Sequence, residues 1–242
     1  MDWSVSAPPT MKAMYSAEWF QTFAATVPTA LVEQEIETLV RILPIEHYRR
    51  VLDVGCGFGR ITSPLSSRGY AVTSLDVSVD ALRSASRRAS AAEYVALDQQ
   101  QIGRMRWEFD GVLFMWNSRG FVGRDGDLET LSGVARVLRP GGRVVFDLYH
   151  PGWLRQNERS GEPDRGANSV RRWMRGNRCC HEIHYESGQV DDIQFDVYEP
   201  DQMRGLCLRA GLTPTTDMVR WDLSFRPNAD APRYQVICER DG

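Results

Sequence analysis

The 242-residue sequence lacks the features that mark membrane and secreted proteins. No apolar stretch approaches the ~20 residues that a membrane-spanning helix requires. The N-terminal stretch MDWSVSAPPTMK has no basic start followed by an apolar core, as a secretory signal would have. The five cysteines are an odd number and do not suggest a disulfide framework. We therefore expect a cytoplasmic protein with no membrane partner.

A surplus of positive charge is also missing. The sequence has 29 lysines and arginines against 32 aspartates and glutamates, a formal net charge of −3. A protein that binds nucleic acid through its phosphates normally carries basic patches and a basic balance. We therefore expect a small-molecule partner, no nucleic acid, and a monomer or homodimer.

Two hydrophobic periods alternate along the chain. Short apolar runs typical of buried parallel strands are separated by segments with helical spacing. Such alternation predicts right-handed crossovers and a doubly wound, mostly parallel α/β sheet. The predicted strands are RRVLDVG and residues 71–76, 93–98, 109–117 and 142–149; the predicted helices are 31–43, 60–68, 79–90 and 127–138, the last stopped by ArgProGlyGly at 139–142.

Polar residues recur where the predicted strands end. They are Asp53, Asp76, Asp98, Trp116 with Asn117, and Asp147 with His150. In an open parallel sheet, ligands bind outside the carboxyl ends of the strands. After the first strand, Gly55, Gly57 and Gly59 allow a tight turn and a close approach of backbone to ligand. The sequence therefore predicts a ligand site on this loop.

Two ligand classes compete for the loop. A dinucleotide would explain Asp76, which lies where an acid accepts ribose hydroxyls. The spacing disagrees, because Arg60 occupies the position of the third small residue of a dinucleotide loop. Asp53, two residues before the first glycine, would repel a pyrophosphate but attract an ammonium or sulfonium. A positively charged nucleoside such as S-adenosylmethionine fits better.

Longer motifs resemble a known family. VLDVGCGFGRITSPLSSRGYAVTSLDVS is similar to the first two motifs of class I S-adenosylmethionine-dependent methyltransferases, and VLRPGGRVVFDLYHPGWL to their post-core signature. FDGVLFMWNSRGFV resembles a bacterial subgroup that acts on small molecules, of natural-product type. The resemblance spans roughly residues 15 to 240. It implies one Rossmann-like domain with a seven-stranded sheet: residues 1–44 a helical lid, 45–150 the cofactor-binding core, 151–200 a substrate-covering β-hairpin insertion, and 201–242 the last helix and strands.

The resemblance also implies roles for single residues. Asp53 would face the methionine amino group, Asp76 the ribose hydroxyls and Asp98 the adenine amino group. The remaining expected contacts to S-adenosylmethionine, or to its product S-adenosylhomocysteine, are Tyr15, Gly55, Cys56, Gly57, Gly59, Val77, Gln99, Met115 and Trp116. His150, just past the fifth strand, is the candidate general base; the alternative is that it caps the turn before Pro151.

Two less regular regions are expected to form the acceptor pocket. Tyr15, Trp19 and Phe20 in the segment 11–23 would wall the site as a lid, or would pack a peripheral helix. The segment 151–200 reads as an antiparallel hairpin that turns at Ser187 and Gly188. Its arginines would bind an anionic acceptor or would pair with the acids that follow. His181 and His184 point to opposite faces of a strand, so we expect no metal.

These observations favour methyl transfer to nitrogen or oxygen of a small-molecule acceptor, in bacterial secondary metabolism. Two alternatives stay open. A protein of this fold can catalyse a cyclisation or rearrangement with no methyl transfer, because fold does not fix function. It can also serve as a non-catalytic nucleoside sensor.

Overall fold

The centre of the molecule is a seven-stranded mixed sheet in a computed structural model that describes residues 15–23, 27–116, 118–164 and 166–242. Its strands, with those of a second sheet, are β1 (Arg50–Val54), β2 (Ala71–Asp76), β3 (Glu93–Ala96), β4 (Phe109–Phe114), β5 (Leu138–Tyr149), β6 (Arg159–Asp164), β7 (Ala167–Arg175), β8 (Arg178–Tyr185), β9 (Val190–Asp196), β10 (Leu212–Val219) and β11 (Arg233–Arg240). The order in the central sheet is β10-β11-β5-β4-β1-β2-β3. Strands β1 to β5 pair in parallel, and β11 and β10 add antiparallel pairs. The predicted seven-stranded, mostly parallel α/β sheet is confirmed.

Both faces of the central sheet are buried, which explains why its strands are so apolar. Leu52 and Val54 belong to the core on one face, and Val51 to the core on the other. A strand covered on both sides loses the alternation of apolar and polar residues that a half-exposed strand shows. The run RVLDV is therefore read correctly as a central strand.

Helices cover the sheet and connect its strands. They are α1 (Ala17–Thr22), α2 (Thr29–Ile42), α3 (Thr62–Ser67), α4 (Val79–Arg88), α5 (Gly123–Val137), α6 (Pro151–Gln156) and α7 (Pro200–Arg209), with a short 3₁₀ helix at Gln99–Arg104. Helix α7 begins with a capping box between Glu199 and Gln202, as expected for a helix start with proline at its first position. No described helix combines the length and the apolar character needed to cross a membrane.

The end of α5 differs from the prediction. ArgProGlyGly at 139–142 does not form a loop after the helix, because β5 begins at Leu138, directly after Val137. The register between β4 and β5 shifts between Phe109 and Gly111, and Gly141 has φ +71°. The register shift and the left-handed conformation of Gly141 allow residues 139–142 to continue the strand, although regular pairing with β4 is interrupted there.

The insertion is larger than the predicted hairpin. Strands β6 to β9 form a separate four-stranded antiparallel sheet. The turn at Ser187 and Gly188 does join β8 to β9, as predicted. The preceding run is not one strand, because Gly176, with φ +62°, turns the chain back so that Arg175 pairs with Arg178. Sequence reasoning missed this turn, although Gly176 and Asn177 interrupt an otherwise uniform alternation.

Candidate active site

A cavity of about 450 Å³, here called the strand-end cavity, opens at the carboxyl edge of the central sheet. Residues that follow β1, β2 and β4 line it together with side chains from α1. Of the residues expected to contact a cofactor, all but Gly59 line this cavity: Tyr15, Asp53, Gly55, Cys56, Gly57, Asp76, Val77, Asp98, Gln99, Met115 and Trp116. The topology thus brings distant parts of the chain to one place.

The three glycines of the loop have different roles. All three have positive φ, a conformation that favours glycine. A β-carbon on Gly57 would lie 2.7 Å from the ring of Phe20 in the lid, so this glycine lets α1 approach the loop. A β-carbon on Gly59 would lie 3.0 Å from Cβ of Ala85, so Gly59 lets α4 pack on the loop. Gly59 is therefore a packing glycine here, and its expected contact with a cofactor is not seen in the cavity lining.

Asp53 is a buried carboxylate at the end of β1. Thr62 donates its hydroxyl hydrogen bond to Oδ2 of Asp53 at 2.8 Å. Burial raises the pKa of Asp53 to about 6, against a smaller opposing effect of the Thr62 hydrogen bond and the Arg60 charge. A desolvated carboxylate of this kind gains most when a cation binds beside it. The geometry suits the ammonium group of an amino acid.

Asp76 ends β2 and shapes the glycine loop. The amide of Gly57 donates to its Oδ2 at 2.9 Å and the amide of Ser78 to its Oδ1 at 2.8 Å. Burial raises the pKa of Asp76, and these backbone hydrogen bonds oppose the rise. Each carboxylate oxygen keeps a second lone pair for a ligand. Asp76 can therefore hold the loop and accept ligand hydroxyls at once.

Three further polar groups border the cavity. Asp98 caps the 3₁₀ helix by accepting from the amide of Gln100 at 2.9 Å. Among the described residues, neither Oε1 of Gln99 nor Oγ of Ser118 has a hydrogen-bond partner, although both atoms are buried. Buried polar atoms are nearly always satisfied, so these two are available to a ligand. Ser118 was not expected from the sequence, and its neighbour Asn117 lies outside the described residues.

Trp116 forms the floor of the cavity in an unusual backbone conformation. Its φ is +53°, which is uncommon for a bulky residue and frequent at functional sites. Its amide donates to Oδ2 of Asp147 at 3.2 Å, and its indole N–H donates to Oε1 of Glu35 at 3.0 Å. The neighbouring Met115 is buried. Trp116 is therefore held from two separate elements, its backbone amide by β5 and its indole by α2.

Glu35 and Arg60 form an ion pair behind the indole. Glu35 is 1% exposed, and burial raises its pKa while the Arg60 charge lowers it. The guanidinium carbon of Arg60 lies 4.5 Å from the centroid of the Trp116 ring. Sequence reasoning missed both residues. The available signal was a glutamate between Leu31 and Leu39 on the apolar stripe of α2, where a charge requires a buried partner.

Tyr15, just before α1, and the aromatic residues of α1 cover the strand-end cavity. Phe20 stacks on Phe58 of the glycine loop, and Tyr15 lies 4.2 Å from Trp19 and 5.9 Å from Phe121 between ring centroids. Tyr15, Trp19 and Phe20 all line the cavity, and Tyr15 and Trp19 also pack against the core of the insertion. This segment therefore both lines the cavity and packs against a neighbouring part of the protein. Residues 1–14 and 24–26 of the expected lid lie outside the described residues.

Hydrogen bonds join α1 to the insertion. Oγ of Ser16 donates to Oδ2 of Asp191 at 2.8 Å, and Oγ of Ser187 donates to Oε2 of Glu18 at 2.7 Å. Tyr185 also donates to Asp191, at 2.9 Å. The insertion therefore holds the helix that closes the cavity.

His150 does not meet the expectation for a general base. Its Nδ1 accepts the amide of Gly152 at 3.1 Å and so caps α6. The ring borders a second cavity with Glu199, Arg204 and Asp217, and it does not line the strand-end cavity. Burial lowers its pKa, opposed by the charge of Glu199. The structure instead places His150 as the cap of α6, which was the alternative interpretation.

Most arginines of the insertion have acidic partners. Arg155 pairs with Glu199 at 2.9 Å, Arg178 with Asp196 at 2.9 Å, and Arg159 with Asp164. These contacts favour the charge-paired surface over an anionic acceptor site; Arg165 lies outside the described residues. Nε2 of His184 contacts Oε1 of Glu182 at 3.0 Å. Within the described part of the chain, no three His, Cys, Asp or Glu side chains are grouped to hold a metal.

Comparisons with known proteins agree with this geometry. Residues 51–142 match the family described as "Methyltransferase domain". The malonyl-[acyl-carrier protein] O-methyltransferase of Salmonella typhimurium is 36% identical over 126 residues, which cover 52% of this chain and 49% of that protein. The chain spans about half the length of the curated relatives it matches.

Solved structures share the fold along nearly the whole chain. An S-adenosylmethionine-dependent methyltransferase from Clostridium acetobutylicum has a TM-score of 0.80 at 14% identity, covering 93% of this chain and 97% of the other. CalS10, an amino pentose methyltransferase from Micromonospora echinaspora solved with S-adenosylmethionine bound, has a TM-score of 0.70 at 17% identity, covering 95% and 99%. At such identities the similarity establishes the fold alone.

Proposed function

We infer that this chain, whose residues 51–142 match the methyltransferase domain family and whose fold is shared with a solved S-adenosylmethionine-dependent methyltransferase, is an S-adenosylmethionine-dependent methyltransferase. We propose that it methylates nitrogen or oxygen of a small-molecule acceptor. One observation carries the proposal: the glycine loop, three strand-end carboxylates and the aromatic side chains of α1 border a single cavity. The same set of groups does not favour a pyrophosphate, which Asp53 would repel.

The lining residues fit the proposed cofactor in type and place. Asp53 provides an anion for its amino group, and Asp76 provides acceptor oxygens for the ribose hydroxyls. Asp98 and the unpartnered Oε1 of Gln99 offer acceptors to the adenine amino group. The apolar side chains of Val77 and Leu97 lie on the same cavity and suit a flat aromatic base.

The protein's own contribution to catalysis is positioning and exclusion of water. When bound, S-adenosylmethionine supplies a methyl group that is already activated by the sulfonium. Trp116 and Met115 provide a fixed floor, and Tyr15, Phe20 and Phe121 provide apolar walls. Holding two reactants in line can supply several kcal/mol of the acceleration, about 7–11 in the best intramolecular cases. Burial raises the pKa of the Tyr15 hydroxyl, so this group stays protonated and can donate a hydrogen bond to a ligand.

The acceptor is a small molecule in this proposal. Helix α1 covers the cavity, and six aromatic side chains border it beside the strand-end carboxylates: Tyr15, Trp19, Phe20, Phe58, Trp116 and Phe121. CalS10 is described as an amino pentose methyltransferase involved in calicheamicin biosynthesis. It offers a precedent for this fold in secondary metabolism. A neutral amine needs no base to react, so such an acceptor suits a cavity whose carboxylates face the cofactor.

Mass spectrometry of a panel of amine, phenol and alcohol acceptors tests the proposal. The purified protein is incubated with S-adenosylmethionine and each acceptor, with Asp76→Ala as the matched inactive control. We expect an acceptor to gain one methylene unit in step with release of S-adenosylhomocysteine. Conversion without a mass gain would indicate rearrangement chemistry, and cofactor binding without any conversion across the panel would indicate a sensor.

A further inference from the structure

We propose that Arg60 binds the carboxylate of the methionine portion of S-adenosylmethionine, an inference that rests on the proposed function. The cofactor ends in an amino acid that carries both charges. A site complementary to it requires a cation as well as the Asp53 carboxylate. Among the described residues that line the strand-end cavity, the cations are Arg60 and Arg88.

Position distinguishes these two arginines. Arg60 directly follows the glycine loop, and its charge acts on Asp53, where it opposes the rise in pKa that burial causes. Arg88 lies at the end of α4, where its Nη1 donates to the carbonyl of Phe58 at 3.5 Å. The amino and carboxylate groups of an amino acid share one carbon atom. The cation next to Asp53 is therefore the one placed to meet the carboxylate when Asp53 meets the amino group.

The guanidinium of Arg60 is held in place before a ligand binds. Glu35 pairs with its Nη1, and the Trp116 ring lies 4.5 Å from its central carbon. The second oxygen of Glu35 accepts from the Trp116 indole at 3.0 Å, so one buried carboxylate orients both groups. A planar fork fixed in this way can take a carboxylate through two parallel hydrogen bonds with little loss of freedom.

Donors on Arg60 remain for the ligand. Among the described residues, Glu35 is its hydrogen-bond partner and uses Nη1, which leaves Nε and Nη2. The side chain is 19% exposed and lines the strand-end cavity. Both S-adenosylmethionine and S-adenosylhomocysteine keep the carboxylate. Arg60 is thus expected to strengthen binding of both and to have little direct effect on the methyl-transfer step.

Equilibrium binding of two ligands tests the assignment without any acceptor. Affinity is measured by calorimetry for S-adenosylmethionine and for decarboxylated S-adenosylmethionine, which lacks only the carboxylate. We expect the wild-type protein to prefer the full cofactor by about tenfold to a hundredfold, the range for a charge-assisted pair. In Arg60→Gln the preference should fall to about twofold or less, through loss of affinity for the full cofactor alone.

Two further variants serve as controls, one for the other cation of the cavity and one for the effect of an unpaired Glu35 on folding. Arg88→Gln removes the other cation of the cavity and should keep the wild-type preference. Arg60→Gln leaves Glu35 buried without its partner, so Glu35→Gln/Arg60→Gln removes both charges together and should show the same lost preference in a protein whose melting temperature stays near that of the wild type.

The possible outcomes test the role of Arg60 separately from the proposed function. A wild-type preference that persists in both Arg60 variants would overturn the assignment, as would equal losses for both ligands, which indicate a structural role. A preference lost in Arg88→Gln would transfer the role to that residue. A wild-type protein that binds neither ligand would overturn the proposed function itself, and the assignment with it.

Discussion

Phe20 of α1 stacks on Phe58 of the glycine loop, with ring centroids 4.4 Å apart and ring planes 16° from parallel. The contact joins the helix that covers the strand-end cavity to the loop that forms its base. It also lies over Gly57, where a β-carbon would meet the Phe20 ring at 2.7 Å. The position of α1 over the cavity therefore depends on this aromatic pair and on the missing side chain at Gly57, in addition to the hydrogen bonds that join α1 to the insertion.

Removal of this aromatic contact should weaken cofactor binding. An aromatic pair contributes about 0.5–1.5 kcal/mol beyond its buried area, so we expect Phe20→Ala to raise the Kd for S-adenosylmethionine by about threefold to tenfold. The loss should appear mainly as faster dissociation in stopped-flow measurements. Phe225→Ala, at a phenylalanine that is 55% exposed, is the matched control and should leave the dissociation rate unchanged. Equal rates in both variants would remove Phe20 from the lid.

Alanine at Gly57 and at Gly59 should have different effects. Gly59→Ala pushes a methyl group against Ala85 at a positive φ, so we expect it to lower the unfolding free energy by about 1–3 kcal/mol. Gly57→Ala carries a similar backbone strain but pushes against the far end of the Phe20 side chain, so it should in addition lower cofactor affinity, which Gly59→Ala should leave unchanged. Denaturant unfolding and calorimetric titration of both variants separate the two effects. The reverse pattern would contradict the assignment of Gly59 to packing.

Asp53 should lower the stability of the folded protein while contributing to cofactor binding. Its folded pKa of about 6 exceeds the ordinary 3.8, so between these values the folded state holds more proton than the unfolded state. Stability therefore falls as pH rises through this window, and the ionised carboxylate costs about 3 kcal/mol above it. We expect Asp53→Asn to raise the unfolding free energy near pH 8, to change it little near pH 4, and to lose most affinity for S-adenosylmethionine.

Thermal unfolding and titration at both pH values measure these effects. Wild-type affinity for S-adenosylmethionine should also decrease as pH falls below about 6, as Asp53 takes up a proton. Asp53→Asn lacks this titration and should show a flatter pH profile. A variant that binds the cofactor as tightly as wild type would show that Asp53 does not contact the amino group.

His150 should prove structural. His150→Ala removes the cap of α6 and should lower the unfolding free energy by about 1 kcal/mol. Asparagine is among the best capping residues, so we expect His150→Asn to restore much of this stability and to keep both cofactor affinity and turnover. A general base would show the opposite result, with turnover lost in His150→Asn and stability kept.

Local features of the cofactor core were predictable from the sequence. Strand β2 has the bounds that its apolar pattern indicates, Ala71 to Asp76, because a strand buried on both faces leaves a strong local signal. Asp53 and Asp76 were identified for the same reason, since each is the first acid where such a run stops. The seven-stranded sheet then follows from strand order and right-handed crossovers.

Features that depend on long-range contacts were not predictable. Gly57 and Gly59 carry the same local signal, and only the positions of Phe20 and Ala85 distinguish lid contact from helix packing. Glu35 is 25 residues from Arg60 and 81 from Trp116 in the sequence, so no local pattern relates them. His150 follows a strand as a catalytic residue could, but α6 begins directly after it and takes the ring as a cap.

Titration of the purified protein with S-adenosylmethionine and, separately, with NADH distinguishes the two ligand classes that the glycine loop could bind. Both ligands carry an adenosine that Asp76 could bind, and they differ in the charge presented to the glycine loop beside Asp53. We expect micromolar binding of S-adenosylmethionine, no measurable binding of NADH, and loss of S-adenosylmethionine binding in Asp76→Ala. Binding of NADH without binding of S-adenosylmethionine would contradict it and would make the loop a dinucleotide site.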